Sequence, residues 1–195
     1  MRYWLVTAVA ACGGNAVHPA PSNSKQAPPV PVPAESAENC TASVESAKAG
    51  NHDRFAFEGP DGLYGYKTGK GQIVIAPRLR YAYEFKPGGI AAAVDGDASF
   101  VFIDPTGKVI AHAYAYDNGP DYFQEGYARI VDDAKKIGFI DERGNIAIAP
   151  RFDEAESFCH GKAAVREGAK QLWIDKQGAP TTAPPPEPPP TSSVE

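Results

Sequence analysis

Four glycines, Gly71, Gly107, Gly144 and Gly178, recur at spacings of 36, 37 and 34 residues. A period in this range marks a chain built from stacked copies of one supersecondary unit, because a single unit cannot bury its own apolar face. Each glycine closes a similar short segment. Asp141-Glu142-Arg143-Gly144 puts Asp at the first turn position and Gly at the fourth, and Asp104 to Gly107 and Asp175 to Gly178 repeat the pattern. That order predicts a type I turn followed by a left-handed glycine, a common hairpin connection.

The flanks alternate as strands do. Ile73 and Ile75 share one face, as do Ile146 and Ile148. Pro77 and Pro150 are expected to end the second strand, since proline donates nothing to a ladder. A third strand is expected to start at Gly89, Gly126 or Gly161. Ala91, Ala128 and Ala163 then share a face with Ala93, Ile130 and Val165, which predicts a crowded layer. No 3.6-residue apolar period runs over ten residues, so the region reads as all-β. Residues 54–57 read as a lone third strand before the first copy, and Leu172–Ile174 as a lone first strand after the last. About 35 residues and three antiparallel strands per copy give a curved or propeller-like array. Whether the two partial units close it or cap an open array is undecided at this level.

The pattern resembles the WG-repeat (KWG-repeat) family of bacterial proteins. Residues 64–178 match it in about three and a half copies. The best copy carries Gly138, Phe139, Ile140, Asp141, Gly144, Ile146, Ile148, Pro150, Phe152, Asp153, Phe158, Gly161, Ala163 and Val165 at the motif positions. The namesake tryptophan is absent, its places taken by Tyr64, Phe100, Ile137 and Gln171. The resemblance implies a repeat scaffold with no catalytic activity attached to the motif.

Composition divides the chain in a second way. Thirteen of the 19 prolines lie outside residues 41–179, whereas 17 of the 19 glycines lie inside. The ends therefore lack the bulk for a core and read as disordered proline-rich segments. At the front, Met1-Arg2 is followed by an apolar run to Ala11 and then Cys12. The run is too short to cross a bilayer and matches a secretory signal. Val9-Ala10-Ala11-Cys12 resembles a bacterial lipobox, which implies lipidation of Cys12 and, with Gly13 next, sorting to the outer membrane. The expected organisation is a signal peptide (1–11), a lipid-anchored linker (12–40), the β-repeat domain (41–178) and a proline-rich tail (179–195). Cys40 and Cys159 then remain as a candidate disulfide, as expected outside the cytoplasm.

Catalytic chemistry finds no clear constellation. The four histidines lack metal-site spacing, and Cys159-His160 are merely adjacent. The Asp-x-x-Gly turns lack the oxygen density of a calcium loop. Asp153-Glu154-Ala155-Glu156 and Asp132-Asp133 read as solvated loop charge. A net charge of −5 excludes a basic nucleic-acid footprint. No catalytic residue, metal or cofactor is therefore assigned. One cluster stands out: Tyr81, Tyr83, Tyr114, Tyr116 and Tyr122 all fall between second and third strands. Equivalent loops of a repeat array tend to share a face, and tyrosine offers a flat apolar body with a polar tip. The expected function is a non-catalytic, envelope-anchored module binding a protein or an envelope glycan, with the membrane reached only through the lipid. An envelope polymer-processing enzyme (or its accessory domain) and a structural spacer are the alternatives.

Overall fold

Alternation of small and large apolar residues, interrupted by turn glycines, gives strands of four to seven residues with short two-residue extensions. The computed structural model describes residues 52–184. The signal region, the whole linker with Cys12 and Cys40, residues 41–51 and residues 185–195 lie outside the described residues. A lone strand β1 (Phe55–Glu58) comes first. Repeat one contains β2 (Tyr64–Lys67), β3 (Ile73–Leu79), β4 (Tyr81–Ala82) and β5 (Ala91–Val94). Repeat two contains β6 (Phe100–Ile103), β7 (Val109–Ala113), β8 (Ala115–Tyr116), β9 (Gly119–Pro120) and β10 (Tyr127–Val131). Repeat three contains β11 (Ile137–Asp141), β12 (Ile146–Phe152), β13 (Glu154–Ala155) and β14 (Lys162–Glu167). A partial fourth unit is β15 (Lys170–Asp175) and β16 (Pro180–Thr181). Residues 180–181, expected in the tail, are thus strand.

The third strand of each unit pairs antiparallel with the first strand of the next: β1 with β2, β5 with β6, β10 with β11, and β14 with β15. The sheets are β1-β2-β3, the seven-stranded β12-β11-β10-β7-β6-β5-β4, β13-β14-β15-β16, and the small β8-β9 ribbon. No described strand of the first partial unit pairs with the last, so the array is open and has no ring closure among the described residues.

The turns follow the sequence. Gly71, Gly107, Gly144 and Gly178 have φ of 84°, 87°, 83° and 77°. Asp104 Oδ1 accepts from the backbone N–H of Thr106 and Lys108 at 2.8 and 3.0 Å, and Asp141 does the same for Arg143 and Asn145. Partial burial works against the charge of Asp104 and Asp141. The hydrogen bonds outweigh it and hold both carboxyls below the usual range.

The prolines behave differently from expectation. β3 and β12 run through Pro77 and Pro150, and the register slips there. Each proline sits in a bulge, where a missing donor costs no ladder bond. Opposite each bulge stands a glycine. A Cβ on Gly138 would lie 2.5 Å from the Ile148 carbonyl oxygen and 2.6 Å from Pro150 N, and Gly65 is equally crowded by Ile75 O and Pro77 N. Repeat two has Val101 and Ala113 at these places. With Val101 blocking the close approach, β7 pairs with β6 without a slip at this place, the register shift lying between Phe102 and Ile103 instead, and the end of β7 reaches β10 directly. The other repeats need β4 or β13 for that job. The residues spared in repeat two form the β8–β9 hairpin.

Each repeat has its own apolar cluster, completed by the first strand of its successor. Tyr66, Ile75, Leu79, Phe85, Ala91, Ala93 and Ile103 form the first; Phe139, Ile148, Phe152, Phe158, Ala163, Val165 and Ile174 form the third at matching positions. The second centres on Phe102, Ala128, Ile130 and Ile140. The small-residue layer is as expected: Ala91, Ala128 and Ala163 are fully buried. Repeats are then tied. Arg78 Nη2 donates to Gly107 O at 2.5 Å and Arg151 Nη2 to Gly178 O at 2.7 Å. Ties also skip one repeat. Arg54 Nε reaches Pro105 O at 2.9 Å, Lys176 Nζ reaches Glu125 O at 3.1 Å, and Gly88 abuts the Glu142 carbonyl. Contacts to both the next unit and the one beyond describe a tightly wound coil.

Candidate functional site: a tyrosine row

β4 alternates as a half-buried strand must: Ala82 points into the first cluster, while Tyr81 and Tyr83 flank it facing out. Buried Tyr66 fixes this edge by donating from its hydroxyl to Tyr83 O at 2.5 Å. The β8–β9 hairpin supplies the neighbouring rings. Its turn residues Asp117 and Asn118 have φ of 46° and 62°. A two-residue turn matching strand twist requires such angles, and Asp and Asn tolerate them.

The rings form a row. Tyr64 and Tyr81 have ring centres 5.4 Å apart, Tyr81 and Tyr83 4.8 Å, and Tyr116 and Tyr122 6.3 Å. The last two pairs meet edge to face, at 70° and 83°. Burial, then the neighbouring Tyr81 and Tyr122, push the Tyr83 hydroxyl pKa up. Tyr83 reaches the hairpin through its hydroxyl, which lies 3.8 Å from where a Cβ on Gly119 would stand. Glu58, which accepts from the Tyr64 hydroxyl at 3.3 Å, pushes Tyr64 up as well. These two phenols therefore stay protonated at neutral pH and offer both a donor and an acceptor. Tyr81, Tyr83, Tyr116 and Tyr122 are 48%, 38%, 49% and 54% exposed, four of the seven large apolar side chains in the described residues that stand out from the surface.

Under the far end of the row lies a buried ion pair. Arg129 and Asp121 are 6% and 4% exposed. Arg129 Nε and Nη2 donate to the two Asp121 oxygens at 2.9 and 2.7 Å, and Nη1 donates to Ala155 O at 3.0 Å. Burial opposes the Arg129 charge, yet its hydrogen bonds to Asp121 outweigh that and raise its pKa above the ordinary value. The guanidinium carbon lies 4.5 Å from the Tyr114 ring centre and 5.3 Å from that of Tyr116. The planar cation thus props the hairpin from beneath.

Of the five tyrosines singled out from sequence, four stand on the surface together. Tyr114 is half-buried beside Arg129 and packs against the third cluster, so it supports the row without belonging to its exposed part. Tyr64, Arg129 and Asp121 were missed. An arginine between Ala128 and Ile130, at the position of Ala92 and Ala164, was the available signal. The acidic connection of repeat three is not simply solvated: Lys136 and Arg166 pair with Asp153 and Glu154. Cys159 takes part in a disulfide. Cys12 and Cys40, the other cysteines of the chain, lie outside the described residues.

The family description "WG containing repeat" matches residues 64–97, 102–135 and 137–170, together just over half of the chain. The chain belongs to the WG-repeat family. No curated protein matches it. The structure explains the glycine of the WG pair: Gly65 and Gly138 are the residues that the bulged proline backbone crowds. The second WG repeat has Val101 there, and its match starts one residue later. The aromatic place before the glycine is half-buried Tyr64 in the first WG repeat and buried Ile137 in the third. The tyrosine row crosses the first two WG repeats, so the repeat scaffold is what brings its rings together.

Proposed function

We propose that this WG-repeat chain is a non-catalytic binding module, held at the bacterial envelope by a lipid on Cys12, whose ligand docks on the tyrosine row. The observation that supports it is a row of half-exposed rings in two neighbouring groups, held from beneath by Tyr66 and the Arg129–Asp121 pair. Edge-to-face rings leave apolar slots lined by hydroxyls, a surface suited to a sugar ring or a peptide. The test is capture of purified peptidoglycan sacculi and of detergent-extracted envelope proteins by the full chain. A variant with Tyr81, Tyr83 and Tyr116 changed to Ala should unfold at nearly the same urea concentration yet lose the ligand. Equal capture would exclude the row. For the anchor, Cys12→Ser should abolish incorporation of labelled palmitate; undiminished labelling would exclude it.

A further inference from the structure

The described array ends in two incomplete clusters whose parts are complementary. Trp173 stands five residues before Gly178, as Tyr66, Phe102 and Phe139 stand five before their own turn glycines. Those three are fully buried and lie at the heart of the three clusters. Trp173 is only half-buried. It marks a fourth cluster that has a first strand, β15, and the start of a second, β16. Residues 182–195 carry neither a glycine nor an aromatic residue with which to continue the pattern.

The front of the array has what the back lacks. Among the described residues, β1 is a third strand without the first and second strands of its own unit. Its register on β2, Phe55 with Lys67 and Phe57 with Gly65, is that of Ala91 and Ala93 on β6. The two inward positions of β1 therefore carry phenylalanine where the complete repeats carry alanine, isoleucine or valine. In the complete repeats this face is sealed: Ala91 and Ala93 are buried under residues including Leu79 and Phe85. At β1 no described element takes the place of those covers: Phe55 is 43% exposed and Phe57 half-buried. Lys67, at the place of Ile103, Ile140 and Ile174, has its ammonium 5.4 Å from the Phe57 ring centre. The extra volume of two phenyl groups fits a joint that lacks a Phe85 counterpart.

We propose that the occupant of each end is the other end of a second copy of this chain. β15–β16 of one copy and β1–β2 of the next together supply a first strand with its core aromatic, a second strand, a third strand and the succeeding first strand. This is the order of parts in each intact repeat. Each copy would use two different surfaces, so the association is head to tail and does not close at two chains. An isologous dimer through β1 alone would leave Trp173 uncovered.

Sedimentation velocity of the full chain over a hundredfold concentration range tests this. The wild type should grow past the dimer as concentration rises. Phe55→Ser with Phe57→Ser removes the head, and these side chains lie outside the three clusters, so the fold is retained. It should weaken association by about 100-fold or more, as loss of two apolar contacts implies. Trp173→Ser removes the tail with a similar effect. Mixed in equal amounts, the two variants should form a 1:1 dimer and nothing larger, because each keeps one intact end. A wild type that stays monomeric overturns the proposal. So do a head variant that associates like the wild type and a mixture of folded variants that gives no dimer.

Discussion

Replacing Asp121 with alanine should destabilise the domain by about 3 kcal/mol, the lower end of the range for breaking a buried ion pair from one side. The figure follows from what is left behind. The substitution removes the acceptor of Arg129 Nε, of Nη2 and of the Arg129 backbone N–H, bonds of 2.9, 2.7 and 2.8 Å. The guanidinium would remain almost fully buried with Ala155 O as its surviving acceptor. The Tyr114 and Tyr116 rings keep a cation–π attraction of about 1–2 kcal/mol, which is why the lower end applies. Replacing both members, Asp121→Leu with Arg129→Met, removes the charge together with its partner and should cost less than about 1.5 kcal/mol. The assay is urea unfolding at pH 7 of the wild type, both single variants and the double variant, with slopes compared to confirm two-state behaviour. The reasoning fails if Asp121→Ala costs under about 1 kcal/mol, or if the double variant costs the sum of the singles.

Gly138→Ala should cost about 1–3 kcal/mol, because its Cβ meets backbone atoms that cannot rotate away; circular dichroism melts of this variant beside Gly168→Ala, where nothing lies within 4 Å, separate crowding from the strain of that glycine's positive φ. Burial pushes the pKa of Tyr66 far above its ordinary value, so the folded chain favours its proton. Stability from this group is whole below about pH 10 and is lost above it at about 1.4 kcal/mol per pH unit; Tyr66→Phe should flatten that alkaline slope in urea titrations. Cys159 is expected to bond to Cys40, so non-reducing peptide mapping should yield a peptide joining the two; a Cys12–Cys159 peptide, or free Cys159, would contradict that pairing.

Features set by local chemistry were legible in the sequence. The Asp-x-x-Gly turns and the buried alanines depend on a few neighbouring residues, and each was found where expected. The isoleucine pairs were not: the register slips between Ile73 and Ile75 and between Ile146 and Ile148, so Ile75 and Ile148 are buried while Ile73 and Ile146 stand exposed on the other face. Features set by contacts distant along the chain were not. Pro77 and Pro150 looked like strand ends because a proline by itself removes a donor. Only the glycine across the strand shows that a bulge absorbs it. The β8–β9 hairpin could have been read from Asp117-Asn118, two residues that accept left-handed angles. The Arg129–Asp121 pair depends on a fold that buries both charges, and alternation by itself would send Arg129 to solvent. Four of five surface tyrosines were nominated by their shared place between strands. Tyr64 was missed because it sits in a different strand that only folding brings beside Tyr81.

The most direct test of the proposed binding face is tyrosine footprinting of the full chain with and without a ligand captured from sacculi or envelope extracts, read by mass spectrometry after iodination. Without ligand, Tyr81, Tyr83, Tyr116 and Tyr122 should react and Tyr66 should not, in line with their exposure. With ligand, those four should become protected together while reactive tyrosines elsewhere stay unchanged. Ligand-bound chain in which these four react as fast as in the free chain would contradict the account.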